Sequence, residues 1–260
     1  MVRHYSGGVT PCINRSWTLF TWNSEIRYLV NQGHAHDALL LFRHMKRSAF
    51  TPNNSTFPFL LKACAKLSHL LNSKIIHAHV LKSRFQSNIY VQTAMVDMYV
   101  KCGQLEDAQN VFVEMPVRDI ASWNAMLLGF AQSGCLDRLS YLLRQMRLSG
   151  IRPDSITVLL LIDAILRVRS LTFLGAVHSF GIRIGIRDDL SVANTLVAGY
   201  AKCGDLGSAE TVFDEIDAGQ RSVVSWNSMI AAYAKFEKCG EYSSLYVFQR
   251  RGCSIGKIFV

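Results

Sequence analysis

Three of the chain's four tryptophans stand in one recurring triplet at nearly fixed spacing. Thr21-Trp22-Asn23, Ser122-Trp123-Asn124 and Ser225-Trp226-Asn227 set them 101 and 103 residues apart. A second marker keeps the same beat: Tyr99-Val100-Lys101-Cys102-Gly103 returns 101 residues later as Tyr200-Ala201-Lys202-Cys203-Gly204. Self-similarity at a fixed period is the signature of a stacked array, and it excludes most folds built around one irregular core.

The long period divides into smaller units. Residues 19–53 close on Thr51-Pro52-Asn53, and residues 120–154 close on Arg152-Pro153-Asp154. Units follow at 54–88, 89–119, 155–189 and 190–222, and an incomplete one at 223–249. Their lengths run 35, 35, 31, 35, 35 and 33. A segment 1–18 precedes the array, and a divergent tail 250–260 follows it. Each unit reads as two amphipathic helices. In 120–154, Trp123, Met126, Leu127 and Phe130 share one face, Gly134 interrupts, and Leu136, Leu139, Leu142, Leu143 and Met146 form a second face. In 89–119 the faces are Val91, Ala94, Met95, Met98, Tyr99 and then Leu105, Ala108, Val111, Phe112, Met115, parted by Gly103. A helix pair this small cannot bury both faces alone. Stacking neighbours bury a continuous core, so the expected fold is all-α, an α-solenoid superhelix of tandem helix-turn-helix repeats with about 13 or 14 helices.

Composition narrows the class further. Of 260 residues, 50% are hydrophobic, too rich for a disordered chain. Seven cysteines without a C-x-x-C pair exclude a zinc ribbon and argue against a secreted disulfide scaffold. The apolar run Ile156 to Leu166 is too short to span a bilayer, carries Asp163 and precedes Arg167 and Arg169. A buried helix is expected there, and no membrane partner. A formal charge of +9 favours a polyanionic partner. The first 18 residues hold Arg3, Arg15, several Ser and Thr, and no acid, which fits an organellar transit peptide.

At the residues quoted above, the chain resembles the pentatricopeptide repeat proteins. The alternation of a 35-residue unit, a variant 35-residue unit and a short unit resembles the plant PLS subfamily. So do Phe57-Pro58-Phe59-Leu60-Leu61-Lys62-Ala63-Cys64 and Ile76-His77-Ala78 in the variant unit. The tetratricopeptide repeat has a similar period but lacks the length alternation and these markers; it leaves a protein-interaction scaffold as the alternative function. The resemblance implies an organellar single-stranded RNA binder, mitochondrial or alternatively chloroplastic, with one nucleotide addressed per repeat. The family reads bases with the fifth and the last residue of a repeat.

Carried over, the readers are Asn23 with Asn53 for a pyrimidine, Thr93 with Asp119 for G, and Asn124 with Asp154 for U. Asn194 with Ser222 reads C, and Asn227 reads a pyrimidine, its partner missing. The variant units offer Pro58 and Leu159, which make no hydrogen bond, before the closing residues Asn88 and Asp189. The family's base-clamping second position holds Phe20, Ser55, Tyr90, Ala121, Ile156, Ser191 and Val224. Phe20, Tyr90, Ile156 and Val224 are the candidates to pack on base faces. With the 5′ end at the N-terminus, the site reads pyrimidine-any-G-U-any-C-pyrimidine. An amide carries donor and acceptor together and can match a pyrimidine edge, whereas a carboxylate only accepts.

Plainer roles compete for the same residues. An Asn or Asp beside a helix start is a natural cap. Trp22, Trp123 and Trp226 lie on the apolar face and are expected in the core. Cys102 and Cys203 read as small buried residues at an inter-helix turn. His34 with His36, and His77 with His79, stand two apart, do not share a helical face and imply no metal site. No cofactor is called for, and no catalytic constellation is visible. Many PLS proteins carry a cytidine deaminase-like domain with H-x-E and C-x-x-C around zinc, and neither motif occurs here. The expected function is therefore recognition rather than catalysis: RNA binding in support of C-to-U editing or other processing, with a deaminase or accessory factor in trans. The weak periodicity after Lys235, at Tyr242, Leu245 and Tyr246, and the absence of a Pro-Asp close read as a truncated last repeat, and an inactive fragment is a third expectation.

Overall fold

The computed structural model describes residues 17–237, which form thirteen helices and, among the described residues, no strand. In chain order these are α1 (Leu19–Asn31), α2 (Ala35–Arg47), α3 (Phe57–Leu67), α4 (Leu70–Lys82), α5 (Ile89–Lys101), α6 (Leu105–Glu114) and α7 (Ile120–Ser133). Then follow α8 (Leu136–Leu148), α9 (Ser155–Val168), α10 (Leu171–Arg183), α11 (Leu190–Cys203), α12 (Leu206–Glu215) and α13 (Val223–Glu237). The all-α repeat architecture expected from the sequence is the one found. The transit-peptide expectation, apart from its last two residues, lies outside the described residues, as do the periodicity at Tyr242 to Tyr246 and the tail 250–260.

Polar side chains start the first helix of every repeat. Thr18 accepts from the Thr21 amide, Asn88 from Val91, Asp119 from Ser122 and Asp154 from Thr157. Asn53 accepts from Ser55 and Thr56, Asp189 from Ser191 and Val192, and Ser222 from Ser225. All but Thr18, which precedes the array, close a repeat; all but Asn53 cap the helix that follows, at roughly 0.5–2 kcal/mol per cap, whereas Asn53 holds a turn ahead of α3. Among the described residues, the turn after that first helix has one residue at positive φ in each of the first six repeats. It is glycine at Gly33, Gly103, Gly134 and Gly204, but Ser68 (φ 47°) and Arg169 (φ 50°) in the variant repeats.

The chain forms two compact units, Met1–Met126 and Leu127–Val260. In the first, α1 packs on α2 and α3, α3 on α4 and α5, and α5 on α6. First helices thus stack on first helices, and each second helix covers its own partner. Trp22, Ile26, Met45, Phe57, Leu60, Leu61, Met95 and Met98 are almost fully buried between them. In the second, α9 packs on α10 and α11, and α11 on α12 and α13. Its core joins Val158, Ile162, Leu174, Val197, Phe213 and Met229. Fully burying one such side chain contributes about 1.5–3 kcal/mol. Lysines tie helix ends across repeats: Lys66 on α3 donates to the Val30 carbonyl at 2.6 Å, and Lys235 on α13 to the Ala201 carbonyl at 2.8 Å. A cation at a helix C-terminus also opposes the helix dipole favourably.

Trp22 and Trp123 are core residues as expected; Trp226 is only half-buried, its ring edge-on to Phe213 at 4.9 Å. Cys102 and Cys203 are half-buried rather than buried, because both stand at the last turn of a first helix, where packing thins toward the loop. The apolar run from Ile156 is the helix α9, with Val158, Leu161, Ile162, Ala164 and Ile165 buried. Among the described residues no helix is long and apolar enough to cross a membrane.

Candidate nucleic-acid interface

Except in the 54–88 unit, where Ser55 precedes α3, the second and fifth residues of a repeat lie three apart on its first helix and therefore share a face. The second position stands in solvent: Phe20, Tyr90, Ile156 and Val224 are 80%, 71%, 56% and 61% exposed, and Ser55, Ala121 and Ser191 are exposed as well. Large apolar side chains held outward at one repeat position are poorly explained by packing. The fifth position sits one turn further along: Asn124 and Asn194 are buried, Asn23, Pro58, Thr93 and Leu159 half-buried, and Asn227 exposed.

In the first repeat the two readers named by the sequence meet. Asn23 Nδ2 donates to Asn53 Oδ1 at 3.1 Å. Asn53 Oδ1 also receives the amides of Ser55 and Thr56, each at 3.1 Å. Thr56 Oγ1 lies 2.7 Å from Asn23 Oδ1 and 2.9 Å from Asn53 Oδ1, and receives the Asn53 amide at 3.0 Å. Capping and pairing therefore run through the same oxygen.

At the other candidate positions the contacts differ. Thr93 Oγ1 and Asn194 Oδ1 are buried without a hydrogen-bond partner. Thr93 is thus not joined to Asp119, which is taken up with capping α7: its carboxylate receives the Ser122 amide at 2.9 Å and its backbone carbonyl the Ser122 hydroxyl at 2.8 Å. The Asn194 oxygen does not reach Ser222, whose hydroxyl lies 3.2 Å from that of Ser225. Asn124 is buried on α7 at 7% exposure. Asp154 forms a capping box on α9, its carboxylate receiving the Thr157 amide and hydroxyl at 2.9 Å each and its own amide reaching Thr157 Oγ1 at 3.2 Å. Asn227 is exposed in the first turns of α13. A buried acceptor or donor left unmade costs about 1–3 kcal/mol, and Trp22 Nε1, Gln92 Oε1 and Trp123 Nε1 are buried without a partner as well.

The variant repeats lack such polar atoms. Pro58 occupies the first turn of α3, where its missing N–H costs nothing, and Leu159 packs against the second core. Their closing residues act as caps. Asp189 is held below the ordinary carboxylate range, first by a hydrogen bond from Ser155, with the Val192 and Ser191 amides assisting and partial burial opposing.

The sequence reading missed Thr56, although a signal was present. A hydroxyl stands three residues after the closing residue at Thr21, Thr56, Ser122, Thr157 and Ser225, and valine stands there at Val91 and Val192. That is the capping-box spacing. It also missed a pair repeating at 101 residues: His77 Nδ1 lies 2.7 Å from the Tyr99 hydroxyl and His178 Nδ1 lies 3.0 Å from that of Tyr200. His79 turns to a different neighbour, edge-on to Phe42 at 5.4 Å.

Comparison with known proteins bears on the same repeats. The PPR repeat family model (PPR_2) matches residues 18–66, and the PPR repeat model matches 93–120, 121–151, 191–218 and 224–245. A mitochondrial pentatricopeptide repeat-containing protein of Arabidopsis thaliana is 50% identical over 230 residues, which are 88% of this chain and 35% of that protein. A chloroplastic one from the same plant is 37% identical, over 83% of this chain and 40% of its own length. The chain thus spans little more than a third of these relatives. Among solved structures, the pentatricopeptide repeat protein PPR10 in complex with an 18-nt psaJ RNA element superposes with a TM-score of 0.67 at 23% identity. That match covers 87% of this chain and 33% of that one. PPR10 from maize superposes at 0.58 with 21% identity, over 91% and 39% of the two chains.

Proposed function

We propose, from the premise that this chain belongs to the pentatricopeptide repeat family, that it binds single-stranded RNA one nucleotide per repeat. Bases pack against the exposed second-position side chains and meet the polar fifth-position atoms edge-on. The observation that carries this reading is the Asn23–Asn53 pair. Two residues 30 apart in sequence, named as readers by their place in the repeat, share a hydrogen bond beside an 80% exposed Phe20. A cap alone requires Asn53 and does not require Asn23.

The proposed target is pyrimidine-any-G-U-any-C-pyrimidine, read 5′ to 3′. The alternation of repeat lengths favours the PLS subfamily, and with it a role as the recognition component in C-to-U editing or other processing of organellar transcripts. Mitochondria are the proposed compartment, with chloroplasts the alternative. The deaminase chemistry comes from another domain or protein in this reading.

The register is tested at one nucleotide. Asp154→Asn keeps an acceptor oxygen for the α9 cap and adds a donor. The substitution is expected to move the preference opposite Asn124 from U toward C in a fluorescence anisotropy titration. An unchanged preference in a folded variant contradicts the register.

A further inference from the structure

We propose that Thr56 is the positioning residue that fixes which way the Asn23 amide faces, and so sets which of cytosine and uracil is preferred at the first nucleotide. The inference rests on the RNA-binding reading and names a determinant beyond the fifth and last residues.

The argument is one of donors and acceptors. Asn53 Oδ1 receives the Ser55 amide, the Thr56 amide and Asn23 Nδ2. A carbonyl oxygen has two lone pairs, so it is already fully subscribed. The Thr56 hydroxyl has a single proton, and its own oxygen accepts the Asn53 amide. That proton goes to Asn23 Oδ1, at 2.7 Å the shorter of its two contacts, rather than to the crowded Asn53 oxygen at 2.9 Å. Asn23 is then held at both ends of its amide: Oδ1 accepts from Thr56 and Nδ2 donates to Asn53.

Turning the amide over sets Asn23 Oδ1 against Asn53 Oδ1, two acceptors face to face. Asn53 cannot turn in compensation, because two backbone amides hold its oxygen at the start of the α3 turn. The backbone therefore dictates Asn53, Asn53 dictates the Nδ2 end of Asn23, and Thr56 locks the Oδ1 end. Thr56 is fully buried, so water does not compete for its proton.

The consequence is chemical. Asn23 keeps one free N–H and one free lone pair for a base. Along its Watson–Crick edge, cytosine presents a donor at N4 and then an acceptor at N3; uracil presents an acceptor at O4 and then a donor at N3. The two orders are opposite, and turning the amide exchanges one for the other. An amide that turns freely accepts either pyrimidine. Set against N4 and N3 of cytosine or O4 and N3 of uracil, a locked amide fits one of the two and not the other.

The test uses the full chain and fluorescein-labelled C-A-G-U-A-C-U, with the first nucleotide varied to U and A and, separately, the fourth varied to C. Thr56→Val keeps the side-chain shape and removes the hydroxyl; Thr56→Ser restores the hydroxyl; Thr56→Ala checks that any effect is not specific to valine. Circular dichroism and the fourth-nucleotide preference report folding within each variant. The expected result is a preference between C and U at nucleotide one that falls about fivefold in Thr56→Val and Thr56→Ala. It survives in Thr56→Ser, with rejection of A and the fourth-nucleotide preference unchanged. An unchanged C-to-U ratio in folded Thr56→Val or Thr56→Ala overturns the proposal. A wild-type chain that discriminates at nucleotide four but not at nucleotide one overturns the proposal and leaves the RNA reading standing. Loss of discrimination at both positions in the wild type overturns the RNA reading itself.

Discussion

At Asn53 one carbonyl oxygen holds the turn ahead of α3 and the amide of Asn23, the proposed reader. The same side chain can therefore be a cap and part of a readout pair, and recurrence in the sequence could not divide the two roles. Caps were foreseeable from residue type and spacing. The partnership with Asn23 was legible only through a family resemblance, because nothing local to Asn53 encodes a contact 30 residues away. The buried, partnerless atoms of Thr93 and Asn194 were not legible at all, since they depend on how α5 and α11 sit against their neighbours. One prediction belongs to this scale. Phe20→Ala and Tyr90→Ala remove exposed rings from otherwise intact helices. Each is expected to weaken RNA binding by about 1–3 kcal/mol while leaving the melting temperature within about a degree or two. Anisotropy and thermal melts on the same samples check it; a stability loss matching the affinity loss contradicts the assigned role.

At the scale of elements, the helical faces were plain in the sequence because burial follows the 3.6-residue period. Met126, Leu127, Phe130, Leu139, Leu142 and Met146 are buried as the pattern implied, while Leu136 and Leu143 of the same pattern are half-buried. The start of α3 was less plain. The repeat begins at Asn54, yet regular helix begins only at Phe57, after a turn that Thr56 and Asn53 hold together. The turns carry a prediction. Arg169 adopts φ 50° where the other repeat type has glycine. A left-handed non-glycine residue costs about 1 kcal/mol. Arg169→Gly is expected to raise stability by about 0.5–1 kcal/mol in urea denaturation, offset partly by the greater freedom of glycine in the unfolded chain.

The His–Tyr pairs predict a pH response. Burial lowers the pKa of His77 and of His178 below the usual value, while nearby carboxylates oppose it. The unfolded chain then binds more protons than the folded one as pH falls below about 6.5, the unperturbed histidine value. Stability from these pairs is complete above that pH and is lost as pH drops through the folded values. Melting temperature is expected to fall between pH 7 and pH 5, and the slope to flatten in a His77→Gln, His178→Gln double variant. An equal slope contradicts the assignment.

For the whole molecule, the fold class follows from the repeat period, since an array of helix pairs has few ways to bury its faces. Function was legible to the level of family and no further. The charge of +9 favours an anion but names none. Phosphate contacts make affinity fall with salt for any RNA, so salt dependence alone does not distinguish reading from attraction. The distinguishing quantity is the difference between two RNAs of equal charge. The most direct measurement compares C-A-G-U-A-C-U with C-A-C-A-A-C-U at two salt concentrations by fluorescence anisotropy. Two lost base contacts at about 1 kcal/mol each predict roughly thirtyfold weaker binding to the second, with a ratio that holds at both salts. Equal affinity for the two RNAs contradicts base reading by these repeats.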